Sequence, residues 1–236
     1  MTRLTWEDRD YQSGADRAAV YVHGGGVEVW NGLVTVTEQP SDIRERVRYR
    51  DGVRSLNYRA EDSYASSVEC FTYPDVVLGA RTRFDFTYRV KTFKGYDIHL
   101  IYNAMARSPG IAYRQLDGDL GTFTLDISTR PKAMPLLRSP SAHIIISTAT
   151  AFPPAVTAVE NVLYGDDNED ARFPDPEELV PIFDVNALFT VVDNGDGTAT
   201  ISAPDEVFTW LNDSQGVADW PYVNYVDEET VRIRNF

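Results

Sequence analysis

Cysteine is almost absent from this chain. Cys70 stands alone, which excludes an intrachain disulfide and any cysteine-rich metal site and fits a reducing compartment. Its neighbours Val68 and Phe71 predict a thiol inside a strand. Long apolar runs are missing as well: no stretch comes near the roughly 18 uninterrupted apolar residues a spanning helix needs. Met1 leads into Thr-Arg-Leu-Thr-Trp-Glu-Asp-Arg without an apolar core, so a soluble chain without a signal peptide is expected. Basic charge is scarce. The 22 Lys+Arg against 36 Asp+Glu give a net charge of −14 and a pI near 4.6, which argues against tight nucleic-acid binding, because that binding depends on cations releasing counterions from phosphates. An anionic surface past which DNA must slide is a different case, since weak repulsion prevents sticking.

Signatures of catalysis are also lacking. The three histidines, His23, His99 and His143, are far apart, and no pair has the i, i+4 spacing of a helical metal site. His99 and His143 each lie in an apolar, strand-like run, where satisfied structural histidines are expected, so the reading assigns no metal, no cofactor and no catalytic residue. No Gly-x-Ser-x-Gly elbow occurs, and Cys70 in a strand is a poor nucleophile. Acidic pairs are plentiful, but a glycosidase needs two carboxylates at a fixed separation in a cleft, which spacing along the chain does not reveal. The chain is therefore read as a non-enzyme, with a hydrolase using an acidic pair kept only as a third reading.

What the sequence does hold is an uneven distribution of charge. Residues 1–150 carry 19 Lys+Arg against 18 Asp+Glu, whereas residues 151–236 carry 3 against 18. Such polarity lets one copy attract another head to tail while the assembly repels other polyanions. At 236 residues and 43% hydrophobic, the chain can bury a substantial core as one large or two small domains.

From Ala18 to Thr150 the punctuation is that of a β protein. Expected strands are Ala18–Val22, Val27–Trp30, Val34–Glu38, Val53–Glu61, Tyr64–Tyr73, Arg83–Val90, Tyr96–Asn103, Thr122–Thr129 and His143–Ala149. In Phe84-Asp85-Phe86-Thr87-Tyr88-Arg89-Val90 the aromatics share one face and the polar residues the other, as a half-buried antiparallel strand requires. Gly24-Gly25-Gly26 between two strands reads as a hairpin turn, since neither the helix nor the Lys-Ser/Thr of a phosphate loop follows. After Pro153-Pro154, Val156, Val159, Val162 and Leu163 recur at helical spacing up to Gly165. A second helix is expected to start at Asp175-Pro176-Glu177-Glu178, with Asp175 as N-cap and Glu178 completing a capping box, and to be cut short by Pro181.

Between the helices, Gly165-Asp166-Asp167-Asn168-Glu169-Asp170 is rich in oxygen ligands but lacks the spacing of a calcium loop and reads as a solvated acidic loop. Phe189–Val192, then Asp193-Asn194-Gly195-Asp196-Gly197, then Thr198–Ile201 reads as strand, turn, strand. Val207–Leu211 and Val231–Arg234 could add strands to a small C-terminal β extension. The expected division is a β domain over 1–186 and an extension or arm over 187–236.

In Ile43-Arg44-Glu45-Arg46-Val47-Arg48-Tyr49-Arg50 the arginines recur every second residue, so an extended backbone places all four on one side. One reading is a solvated edge strand whose charge discourages aggregation; another is a docking arm, running on to Arg54, that meets carboxylates on a second copy. A phosphate-binding arm is the third. For the docking arm the acidic C-terminal third is the natural receptor, with Asp166, Asp167, Glu169 and Asp170 as its candidate surface.

Several strings then stand together: Trp30-Asn31-Gly32-Leu33 followed by Val36-Thr37-Glu38; Phe71-Thr72-Tyr73-Pro74-Asp75; Gly95-Tyr96-Asp97-Ile98-His99-Leu100-Ile101-Tyr102-Asn103; Leu163-Tyr164-Gly165 leading to Ala171-Arg172-Phe173-Pro174-Asp175-Pro176; and Asp193-Asn194-Gly195-Asp196-Gly197-Thr198. In that order, over roughly residues 6 to 200, the chain resembles tail tube and distal tail proteins of long-tailed, noncontractile bacteriophages of actinobacteria. The resemblance implies a mainly β, tail-tube-like sandwich or barrel with one or two short flanking helices. It also implies a structural virion protein, assembled in the host cytoplasm, that forms hexameric rings stacking head to tail into a tube that conducts DNA during ejection, with tape measure and tail terminator proteins as further partners. The alternatives are a distal tail ring subunit, or a carbohydrate-binding β-sandwich that uses Trp6, Trp30, Trp210 or Trp220.

Overall fold

The structure, a computed structural model, describes residues 14–39, 43–50, 53–61, 64–78, 82–107, 121–134, 140–183, 190–194, 198–203, 207, 223–227 and 230–234. The chain is mainly β with short flanking helices. In chain order the first ten strands are β1 (Ala15–Val22), β2 (Val27–Val29), β3 (Leu33–Gln39), β4 (Ile43–Arg50), β5 (Val53–Glu61), β6 (Ala65–Cys70), β7 (Phe84–Thr92), β8 (Gly95–Arg107), β9 (Phe123–Ser128) and β10 (His143–Ser147). They form one continuous antiparallel system. Its main path runs β2-β1-β7-β8-β10-β5-β4, and β9, β6 and β3 branch from β8.

The branch exists because β8 is long enough to serve two ladders. Its first half pairs with β10, as in Ile101 opposite His143, and its last residues Met105 to Arg107 pair with β9. The switch falls at a bulge where Asn103 takes φ +53. There the Asn103 N–H donates to Asp85 Oδ1 at 2.7 Å and its carbonyl accepts from Arg83 at 2.7 Å. An extra residue reverses which parity faces inward: His99 and Ile101 face the inner core before the bulge, and Ala104 does so after it. A second bulge, at Arg17 with φ +47, lies opposite Tyr88.

Two cores result, one on each side of the main sheet. Between the sheet and the β3-β6-β9 layer lie Val20, Trp30, Val68, Phe84, Phe86, Ile101, Leu125 and Ile127. On the opposite face, Tyr21, Ile98, Leu100, Ile144 and Ile146 pack under helix α1 (Pro153–Tyr164). The helix opens on two prolines, whose missing N–H groups would have no intrahelical partner there. It buries Ala155, Val156, Val159, Leu163 and Tyr164 at helical spacing and stops at Gly165, φ +77. Tyr21 donates from its hydroxyl to the Leu163 carbonyl at 2.6 Å and pins the helix to β1. β7 is thus not half-solvated as its alternation predicts: Thr87, on its polar face, is fully buried, because the helical layer covers that side.

The hairpin turn at Gly24-Gly25-Gly26 is present, with the Gly25 N–H donating to the Val22 carbonyl at 2.9 Å. Helix α2 (Leu179–Ile182) departs from expectation. Asp175 to Glu178 form a turn before it, although half of the anticipated box is made, the Asp175 N–H donating to Glu178 Oε2 at 2.9 Å. Pro181 sits inside this one-turn helix without disrupting it, since first-turn N–H groups are unpaired in any case.

The C-terminal part forms a separate four-stranded antiparallel sheet, β11 (Thr190–Asp193), β12 (Thr198–Ser202), β13 (Val223–Asp227) and β14 (Thr230–Arg234), in the order β11-β12-β14-β13. The predicted strand at Val207–Leu211 lies outside the described residues except for Val207, which is buried with Ala203 in the core under α1.

Candidate functional site

The inner core holds a line of polar side chains where apolar ones would be expected. His99 of β8 and His143 of β10 are 6% and 0% exposed. They sit on the same face, since Ile145 lies opposite His99 and His143 opposite Ile101, and diagonal neighbours in an antiparallel pair are within reach of long side chains. His99 Nδ1 and His143 Nε2 are 3.0 Å apart. The two strand histidines, expected from the sequence to be structural, are hydrogen-bonded to each other, because the β8–β10 register joins residues 44 positions apart.

Glu38 enters from the facing layer. It follows Val36 by two residues on β3, so it points inward with that residue, and its Oε1 lies 3.0 Å from His99 Nδ1. Tyr88 of β7, directly opposite His99 in the ladder, donates its hydroxyl to the same carboxylate oxygen. Tyr64 continues the chain, its hydroxyl 3.0 Å from that of Tyr88. The rings are braced by contact: Tyr88 stacks on His99 and Tyr64 meets His143 edge-on, both with centroids 4.5 Å apart.

These contacts set the charge of the group. Burial alone would raise the Glu38 carboxyl, but the hydrogen bond and charge of His99, the Tyr88 hydroxyl and the charge of His143 together hold it down to about 2. Tyr88 moves the other way: burial first, then Tyr64 and Glu38, push its phenol well above the ordinary value. Tyr88 is thereby kept as a donor and Glu38 as an ionised acceptor. A pocket of about 610 Å³ opens on this network, lined by Val34, Val36 and Val90 together with Glu38, Tyr88 and His99. It lies where β3 faces β1 and β7, a flank on which no ladder joins the two layers among the described residues. Of the described residues, Glu38, His99 and His143 are the group able to hold a metal ion, with donor atoms all within 4.8 Å of one another.

The residues singled out from the sequence lie elsewhere. Arg44, Arg46, Arg48 and Arg50 fall at alternate positions of β4, the last strand of the main path, and Arg54 pairs with Tyr49 across the β4–β5 hairpin, beside a one-residue bulge. Asp166, Asp167, Glu169 and Asp170 form the loop after α1. That loop closes on itself, Asp166 Oδ1 accepting from the Asn168 and Glu169 N–H groups at 2.7 and 2.8 Å. Trp30 offers no sugar platform, being 2% exposed with its indole N–H donating to the Thr72 carbonyl at 2.8 Å. Trp6, Trp210 and Trp220 lie outside the described residues. Cys70 is a buried strand thiol, raised to about 11 chiefly by burial. Comparison of the chain with protein-family models, with curated proteins and with solved structures yields no match.

Proposed function

We propose that this chain is a structural subunit of a bacteriophage tail, closing into rings that stack into a DNA-conducting tube. The observation that carries the reading is the unlike ends of the main sheet. At one end β2 has three residues; at the other β4 has eight and pairs only with β5 among the described residues. A free flank of that length offers roughly 25 Å of unpaired backbone, which isolated proteins usually shorten, cover or block. Pairing β4 with a strand of a neighbouring copy removes the edge and closes a ring, hexameric in the resemblance stated above. Because donor and acceptor surfaces differ, the contact is heterologous and suits closure within a ring and stacking between rings.

Charge supports the same geometry. Arg44, Arg46, Arg48 and Arg50 occupy alternate positions of β4, and the excess of carboxylates after residue 150 supplies complementary partners, including the loop of Asp166, Asp167, Glu169 and Asp170. Pairs formed at a partly desolvated contact are stronger than exposed ones. The remaining negative charge keeps the passing DNA from adhering. Tape measure and terminator proteins are the partners this role requires, and the virion is its location.

Negative-stain microscopy of the purified protein tests the reading. Tubes identify a tube subunit and isolated rings a distal tail subunit; a chain that stays monomeric at high concentration refutes both. Replacing Arg44, Arg46, Arg48 and Arg50 together by Ser is expected to leave the circular dichroism spectrum unchanged and abolish polymerisation, and normal tubes from that variant would reject the docking strand.

A further inference from the structure

Three lone-pair donors from three strands converge at the floor of the pocket. His99 Nδ1 carries at most one proton, yet His143 Nε2 and Glu38 Oε1 each lie 3.0 Å from it. We propose that Glu38, His99 and His143 bind a single divalent transition-metal ion, zinc being the best fit, with the pocket supplying the open coordination position. Two imidazole nitrogens and a carboxylate suit a borderline ion such as zinc, whereas magnesium and calcium prefer oxygen alone.

The spacing agrees. A tetrahedral zinc with bonds of roughly 2.0–2.1 Å holds its ligands about 3.3 Å apart; two of the donor pairs lie at 3.0 Å and all three donors lie within 4.8 Å of one another, so side-chain rotation brings them to that spacing. A cation there engages all three lone pairs at once. The surroundings are those of a prepared site: Tyr88 and Tyr64 pack against the two imidazoles, and the Tyr88 hydroxyl, held by Tyr64, orients the carboxylate. Access comes through the pocket, which Glu38 and His99 line, while His143 is wholly buried behind them. Three protein ligands leave a fourth position for water or an exogenous ligand. The ion ties β3 to β8 and β10 across the core, on the flank that no ladder closes among the described residues.

The test uses the full chain stripped of metal with a chelator. Zinc titration followed by calorimetry is expected to show one ion per chain, and cobalt substitution to give the visible bands of a four-coordinate centre. Glu38→Gln, His99→Gln and His143→Gln are each expected to weaken zinc binding at least tenfold while keeping the strand spectrum. X-ray absorption of the zinc-loaded wild type should report two imidazole ligands, a readout independent of whether any variant folds. No saturable uptake, uptake unchanged in the histidine variants, or a zinc shell of oxygens only, as surface carboxylates would give, overturns the proposal.

Discussion

Replacing Glu38 by Gln removes one buried-edge charge while preserving shape, and its cost should depend on pH in a defined way. The folded-state carboxyl is held at about 2 against an ordinary 4.5. A lowered folded value means the ionised form is favoured by folding, so the contribution is fully present above pH 4.5 and fades as pH falls from 4.5 towards 2. The shift corresponds to about 3 kcal/mol at most. Because 32% of the Glu38 side chain remains accessible, solvent screening reduces this to about 1–2 kcal/mol. Urea denaturation of wild type and Glu38→Gln, both in chelator so that no metal contributes, should give a stability difference of that size at pH 7. The difference should be unchanged at pH 5.5 and clearly smaller at pH 3. A gap that stays constant from pH 7 to pH 3, or that widens on acidification, would refute the claim that an ionised Glu38 is held by the histidines and Tyr88.

Gly32→Ala should destabilise the fold by about 1–3 kcal/mol in the same assay, because a Cβ at residue 32 would fall onto the backbone and hydroxyl of Thr72; an unchanged midpoint would show that the Trp30–Thr72 contact yields easily. Cys70, fully buried with its thiol raised to about 11, should resist Ellman's reagent in the native protein and react once per chain in denaturant. Rapid native labelling at pH 8 would place β6 outside the core.

Much of the architecture was legible because it follows from short-range pattern. Phe84, Phe86 and Tyr88 alternate as an inward face and occupy it, and the spacing Val156, Val159, Leu163 after two prolines is the buried stripe of α1. What escaped depends on register. The bulges at Arg17 and Asn103 have no local signature, and the second is held by Asp85, which burial raises and the Asn103 N–H and His23 draw back. That bulge decides where β8 passes from one ladder to the other. The His99–His143 contact likewise rests on the offset of β8 against β10, which no spacing along the chain encodes. One signal was available: Glu38 breaks the alternation begun by Val36, placing a carboxylate where an apolar residue belongs.

Translation meets this strand order awkwardly. Ala60 of β5 finds its ladder partner in Ile144 of β10, so the β4–β5 hairpin leaves the ribosome long before the strand that covers its inner flank. At about 5–20 residues per second the delay is several seconds, during which both sides of the hairpin are open. Neighbouring nascent chains on one polysome present the same hairpin at the same time, so crowding during synthesis favours contact between siblings before each has its own tenth strand. Slower initiation and a lower culture temperature should therefore raise the yield of protein that is competent to assemble.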